Sequence, residues 1–330
     1  MVEGREGSTV ATRKSEIADG KENLGRSMTE KHLQATQDAV EARRKGVVYG
    51  LAAYLCWGFF PVYFKSVHVV PPLEMVAHRI CWSLAFLLLL VAGKGAWREM
   101  RDLLCRPKSL AALTVSTLLI ATNWLVFIYA VSAGEVLQSS LGYFINPLVS
   151  VLLGFVFLGE RLERVQWVSI ALAVCGVIYL AASYGSVPWI SLLLAASFGL
   201  YGLIRKALHV EPLVGLTVET LLLAPFALIY LVVLNQRGTG IFLASSTRLD
   251  LLIPMAGIVT AIPLLLFAAA AKRLRLATVG FLQYITPTMH FLLAVTVYGE
   301  IFTHTHLISF LLIWCGLALY SWHAYRTVRA

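Results

Sequence analysis

Four ionisable side chains, His78, Arg79, Glu219 and His290, interrupt stretches of chain that are otherwise apolar. Placing a charged group at the centre of a spanning helix costs about 2.5–3.5 kcal/mol on insertion scales, so such a group faces a protein interior or a cavity rather than lipid. The chemistry these residues offer is recognition and proton exchange. Arg79 is the candidate for substrate binding, because a fixed positive charge with five donors can hold an anionic or carbonyl-bearing molecule, or a structural carboxylate. His78, Glu219 and His290 can gain and lose protons and are the candidates for proton coupling; Glu219 could take up a proton and couple it to release of a bound solute. Asn123, Trp124, Tyr143, Asn146, Gln283, Tyr284 and Thr286 form a second tier, with rings to stack on a ligand and polar groups to orient it.

These residues are positioned by helices of membrane-spanning length. The 330 residues are 58% hydrophobic and 14% charged, with mean hydropathy +0.76, outside the range of a soluble domain. A helix crosses a bilayer with about 20 apolar residues. Ten stretches qualify, at 46–65, 73–92, 109–131, 136–158, 166–183, 187–206, 213–234, 249–271, 278–299 and 306–324. The predicted fold class is therefore all-α, a polytopic membrane protein of ten transmembrane helices. Residues 1–45 are polar and mixed in charge, and read as a disordered tail.

The five cysteines are odd in number and widely spaced, which suggests neither a disulfide framework nor a metal site. His304-Thr305-His306 has metal-ligand spacing but no third ligand nearby. The chain has no phosphate-binding loop and no hydrolase or metalloprotease motif, so neither a cofactor nor an enzyme is expected. The net charge of +9 is read as a bias of the loops rather than a nucleic-acid surface.

The middle of the chain returns at an offset of 140 residues. Ser140-Leu141-Gly142-Tyr143-Phe144-Ile145-Asn146-Pro147 matches Gly280-Phe281-Leu282-Gln283-Tyr284-Ile285-Thr286-Pro287, each copy has Gly-Glu ending thirteen positions after the proline, and Cys175-Gly176 recurs as Cys315-Gly316. At an offset of 141, Trp57-Gly58, Lys65, Pro71 and His78 align with Phe198-Gly199, Lys206, Pro212 and Glu219. The expected halves are 46–184 and 185–330. Five spans is an odd number, so the second half enters the membrane inverted, and inverted halves can alternate access to a site between them. Pro147 and Pro287 are matched candidate hinges, each removing a backbone donor in mid-span. Glu160 and Glu300, near loops, read as anchors of helix ends.

Seventeen lysines and arginines flank the spans on one face and three on the other, which places both termini in the cytoplasm of a plasma (inner) membrane. His78 and Arg79 then lie about 10 Å deep from the outside and Glu219 about as deep from the inside, at 1.5 Å per residue. In a core of about 30 Å, roughly 12 Å would separate His78 from Glu219 along the normal, too far for an ion pair.

The runs His78-Arg79-Ile80-Cys81-Trp82-Ser83, Asn123-Trp124-Leu125-Val126-Phe127-Ile128, Leu158-Gly159-Glu160-Arg161, Tyr201-Gly202-Leu203-Ile204-Arg205-Lys206, Glu219-Thr220 and Gln283-Tyr284-Ile285-Thr286-Pro287-Thr288, with the 140–148 motif, resemble the EamA-type drug/metabolite transporters. The resemblance covers about 45–325. It implies ten helices in two inverted five-helix repeats with a substrate cavity between them. It also implies export of a small solute such as an amino acid, a metabolite or an amphenicol-like drug. His290 departs from the family pattern, which has a neutral residue there. The partners implied are a small-molecule substrate and the lipid bilayer; protons as coupling ion and a homodimer both stay open. The alternatives are a receptor or helper subunit that binds without flux and, behind it, an intramembrane enzyme.

Overall fold

A computed structural model of the chain describes residues 34, 37–133, 136–182, 188–297 and 304–329. The chain divides into two compact units, 1–45 and 46–330. In the first, residues 37–45 are helical rather than disordered, with Glu41 and Lys45 one turn apart and paired at 2.6 Å, a spacing that supports helix. The rest of the expected tail, residue 34 aside, lies outside the described residues.

Among the described residues of the second unit every element is helical. They are α1 (46–58), α2 (Phe60–Ser66), α3 (Pro72–Lys94), α4 (Trp97–Leu104), α5 (Pro107–Ser132), α6 (Val136–Leu158), α7 (Arg164–Ala182), α8 (Trp189–Ala207), α9 (Pro212–Gln236), α10 (Thr247–Arg273), α11 (Leu276–Gln283), α12 (Ile285–Thr296) and α13 (His304–Arg329). Nine helical stretches among the described residues are long and apolar enough to cross a membrane.

The predicted span at 278–299 is not among the nine. It is two short helices, α11 and α12, parted at Tyr284. Pro287 has no N–H to give the Gln283 carbonyl one turn back, and Tyr284 N–H turns instead to the Phe281 carbonyl at 3.3 Å. Its counterpart Pro147 sits inside α6, which runs on unbroken. Glu300 lies outside the described residues.

Local signals place the helices that carry the ionisable groups. α3 starts at a Pro71-Pro72 pair, with Pro72 at a first-turn position where the missing N–H costs nothing, and stops at Gly95, whose φ of 65° suits a residue without Cβ. α9 starts likewise at Pro212, and its N-cap Glu211 accepts from Val214 N–H at 3.0 Å. These starts put His78 and Arg79 in the second turn of α3, and Glu219 in the second turn of α9.

The bundle is held by close backbone approach at small residues, as expected where lipid supplies no hydrophobic drive between helices. α7 packs along α13, α6 along α8 and α11, and α3 along α9 and α10. The α7–α13 seam is reciprocal. A Cβ on Gly176 would lie 2.8 Å from the Ser309 carbonyl oxygen, and one on Gly316 would lie 2.6 Å from that of Ser169. Both pairs, Gly176 with Gly316 and Ser169 with Ser309, are related by the 140-residue offset. Large apolar side chains such as Leu89, Phe226, Ile229 and Leu251 stay exposed on the outside of the bundle, where they suit contact with lipid acyl chains.

Candidate functional site

Arg79 projects from the second turn of α3 toward α2, α5 and α10. Its Nε donates to the Thr260 hydroxyl of α10 at 2.9 Å. Its guanidinium carbon lies 5.1 Å from the Trp124 ring centroid and 5.4 Å from that of Phe64, within cation–π range. Tyr63 and Tyr143 are near enough to feel its charge. Among the described residues no carboxylate stands within ion-pair distance of Arg79. Tyr143 and His290 face one another with ring centroids 6.0 Å apart, and a His290 ring nitrogen is 3.0 Å from the Trp57 carbonyl of α1. Thr286 donates to the neighbouring Tyr54 carbonyl at 3.0 Å.

Glu219 is fully buried, where Arg79 is half-buried. Its carboxylate accepts from the Ser116 hydroxyl of α5 at 2.5 Å and from Tyr201 of α8 at 3.5 Å, and Arg205 of α8 stands 3.5 Å away. Arg205 is itself buried, and donates to the Pro212 carbonyl at 3.2 Å. It fits because residue 215 is glycine: a Cβ there would collide with the guanidinium. Arg205, counted from sequence among the cations flanking the spans, is thus an interior residue.

Beside Glu219 lies a cavity of about 20 Å³, room for one water molecule. Its walls include Ser83 of α3, Trp124 of α5, Tyr201 of α8, Glu219 of α9 and Thr260 of α10. Glu219 lines this space itself, whereas Arg79 reaches it through two of its wall residues, Trp124 and Thr260. Three of these wall residues were expected nowhere in the site: Ser83, Tyr201 and Thr260. Tyr201 could have been found, since Tyr201 and Arg205 share a face of α8 four residues apart, as Glu74 and His78 do on α3.

His78 lies 3.8 Å from the buried Glu74, which also accepts from Ile241 N–H at 2.7 Å in the connection between α9 and α10; Phe242 lies over the imidazole at 5.0 Å. Asn123 joins helices, donating to the Leu194 carbonyl at 2.9 Å and the Ser197 hydroxyl at 3.0 Å in α8. Asn146, Gln283 and Tyr284 are buried and do not line the cavity. Asn146 Oδ1 and the hydroxyls of Tyr54 and Tyr284 have no hydrogen-bond partner among the described residues.

A second cluster closes one end of the bundle. Glu160, following α6, accepts from Leu276 and Ala277 N–H of α11 at 2.6 and 3.1 Å, a carboxylate on a helix N-terminus. Lys206 of α8 lies 3.9 Å from Glu160 and donates to the Ala271 and Leu274 carbonyls at the end of α10.

An all-helical bundle with several helices long and apolar enough to cross a membrane defines the class, a multi-pass membrane protein. Residues 44–182 match the model of the EamA-like transporter family. Protein RarD of Salmonella typhi is 48% identical over 286 residues, which cover 87% of this chain and 97% of that protein. An uncharacterized transporter of Vibrio cholerae is 45% identical over 87% of this chain and 94% of its own length. A solved crystal structure, 18% identical, superposes with a TM-score of 0.64 over 84% of this chain and 97% of the other, and shows the same fold. The chain belongs to the EamA-like transporter family, among the proteins that carry the name RarD. A small-molecule substrate and a membrane environment follow from that membership.

Proposed function

We propose that this protein is a secondary transporter that exports a small organic solute from the cytoplasm by alternating access, with both termini cytoplasmic in a plasma membrane. The solute is of the amino acid, metabolite or amphenicol-like class, and no chemical change in it is part of the reading. The observation that carries the proposal is the central cavity, walled by α3 and α5 from the first half of the chain and by α8, α9 and α10 from the second. A space for one water cannot hold such a solute, so this conformation is closed around the site and another must open it. The unpartnered polar atoms of Tyr54, Asn146 and Tyr284 fit that view. Buried polar groups are normally bonded, and a second conformation would let these meet water or solute.

The two halves, 46–184 and 185–330, are read as inverted repeats that rock about α6 and the α11–α12 break, with Pro147 and Pro287 at corresponding points. The reciprocal glycine contacts of α7 and α13 support a pseudo-two-fold relation between them. Glu219 is the coupling group in this reading: its protonation would remove the charge that holds Arg205 and loosen α8 from α9. His78 and His290 stay proton-coupling candidates.

The test is counterflow in proteoliposomes, screening amino acids and amphenicols with and without an imposed pH gradient. Saturable flux accelerated by the gradient is expected, and Glu219→Gln should abolish the acceleration while leaving counterflow. Absence of saturable flux for every class of solute would overturn the transporter reading, and acceleration that survives Glu219→Gln would overturn the coupling.

A further inference from the structure

We propose that the solute is a small monocarboxylate with a flat apolar body, its carboxylate held by the terminal Nη1 and Nη2 of Arg79 and its body lying against Trp124 and Phe64. The inference rests on the transporter reading and assigns the chemistry of that site.

The other cations that reach into the bundle are neutralised by the protein itself. Arg205 has Glu219 at 3.5 Å, and Lys206 has Glu160 at 3.9 Å with two helix-end carbonyls besides. Arg79 has neither a carboxylate nor a carbonyl among the described residues; one nitrogen is bonded, Nε to the Thr260 hydroxyl. Its remaining contacts are the two ring faces at 5.1 and 5.4 Å. Arg79 is half-buried, so its fork stays within reach, and rings and a hydroxyl attract a guanidinium without neutralising it, which leaves the counter-charge to an anion. Nε, the donor that points back along the side chain, is the one the protein has used. The two Nη groups, whose planar fork matches a carboxylate in bidentate fashion, have no hydrogen-bond partner among the described residues.

The surroundings narrow the class further. Arg79 is one cation, with hydroxyls and rings rather than further lysines or arginines around it, which suits a single negative charge; a phosphate dianion would leave one charge unmatched. A cationic solute would be repelled. The walls nearest the fork are aromatic: Trp124 and Phe64 directly, with Tyr63 beside Phe64 at 5.3 Å and Tyr143 beside His290 at 6.0 Å. Flat faces of this kind favour a planar or aromatic body over a branched or polyhydroxylated one.

The test uses the full chain, purified and in proteoliposomes, and three probes that share one ring: phenylacetate, phenylacetamide and phenethylamine. Binding is followed through tryptophan fluorescence. Phenylacetate should bind saturably, the amide at least tenfold more weakly, and the amine not at all. Arg79→Lys, which keeps the charge and loses the fork, should weaken phenylacetate at least tenfold, and Arg79→Gln should abolish its binding. Trp124→Leu should weaken phenylacetate by a larger factor than it weakens acetate, a fourth probe that keeps the carboxylate and lacks the ring. An amide that binds as well as the acid, phenylacetate binding that survives Arg79→Gln, or no saturable binding of any probe would overturn the assignment. Counterflow separates the two readings. Wild-type counterflow of an uncharged amphenicol without phenylacetate binding keeps the transporter and sinks the carboxylate site. Arg79-dependent phenylacetate binding without counterflow of any solute keeps the site and sinks the transporter.

Discussion

Arg79 on α3 and Glu219 on α9 stand one position from equivalence in the 141-residue offset, yet their surroundings are opposite in kind. Glu219 is met by a cation, a serine hydroxyl and a tyrosine hydroxyl, all supplied by the protein. Arg79 is met by a threonine hydroxyl and the faces of rings. A charge whose partners are built in serves to join helices, and is disturbed only when the helices part. A charge whose partners are incomplete is left to recognise something from outside. In the proposed transporter the difference would assign closure to Glu219 and recognition to Arg79.

Stability measurements can break this contrast. Arg205→Ala strands a buried carboxylate and should cost about 3–5 kcal/mol in unfolding experiments in detergent, whereas replacing both partners by apolar residues, Arg205→Met with Glu219→Leu, should recover most of the loss. If the single and double variants are equally unstable, the pair is not what holds α8 to α9. Gly215→Ala drives a methyl group into the Arg205 guanidinium and should cost about 1–3 kcal/mol, the usual scale of overpacking. Arg79→Met removes a charge that leaves no carboxylate behind, so its cost should stay below about 1.5 kcal/mol, set by one hydrogen bond and the cation–π contacts. A loss as large as that of Arg205→Ala would mean that Arg79 is paired structurally after all. The smallest effects are expected at the prolines. Pro147→Ala and Pro287→Ala should each change stability by about 1 kcal/mol or less, as for most single substitutions, while counterflow slows more for Pro287→Ala, where the helix is broken.

Much of this arrangement was legible in the sequence. The apolar runs and the prolines that open α3 and α9 report local chemistry, and nine of the ten expected spans are matched by long apolar helices among the described residues. Arg79 and Glu219 were legible as interior charges because each is surrounded in sequence by apolar residues. Their partners were not. Arg205 and Glu74 lie within two turns of helix ends, where a charge is ordinary, and both are buried by neighbours remote in sequence: Gly215 opens space for Arg205, and Ile241 and Phe242 fold over Glu74 and His78. The break at Tyr284 was equally hidden, since both copies of the motif carry the proline. It is accompanied in the second copy by bonds that anchor the start of α12, from Thr286 to the Tyr54 carbonyl and from Trp314 to Thr288 at 2.9 Å.

Where α7 meets α13, a glycine and a serine carbonyl meet twice with their roles exchanged. That is the form of an isologous interface, in which one patch is complementary to itself, as between the subunits of a two-fold dimer. On the proposed two-half organisation, the chain would be a dimer that has been sewn together. Produced as separate fragments, 1–184 and 185–330 should find one another along it and co-purify from the membrane. Gly176→Leu or Gly316→Leu, on either fragment, should be enough to keep them apart.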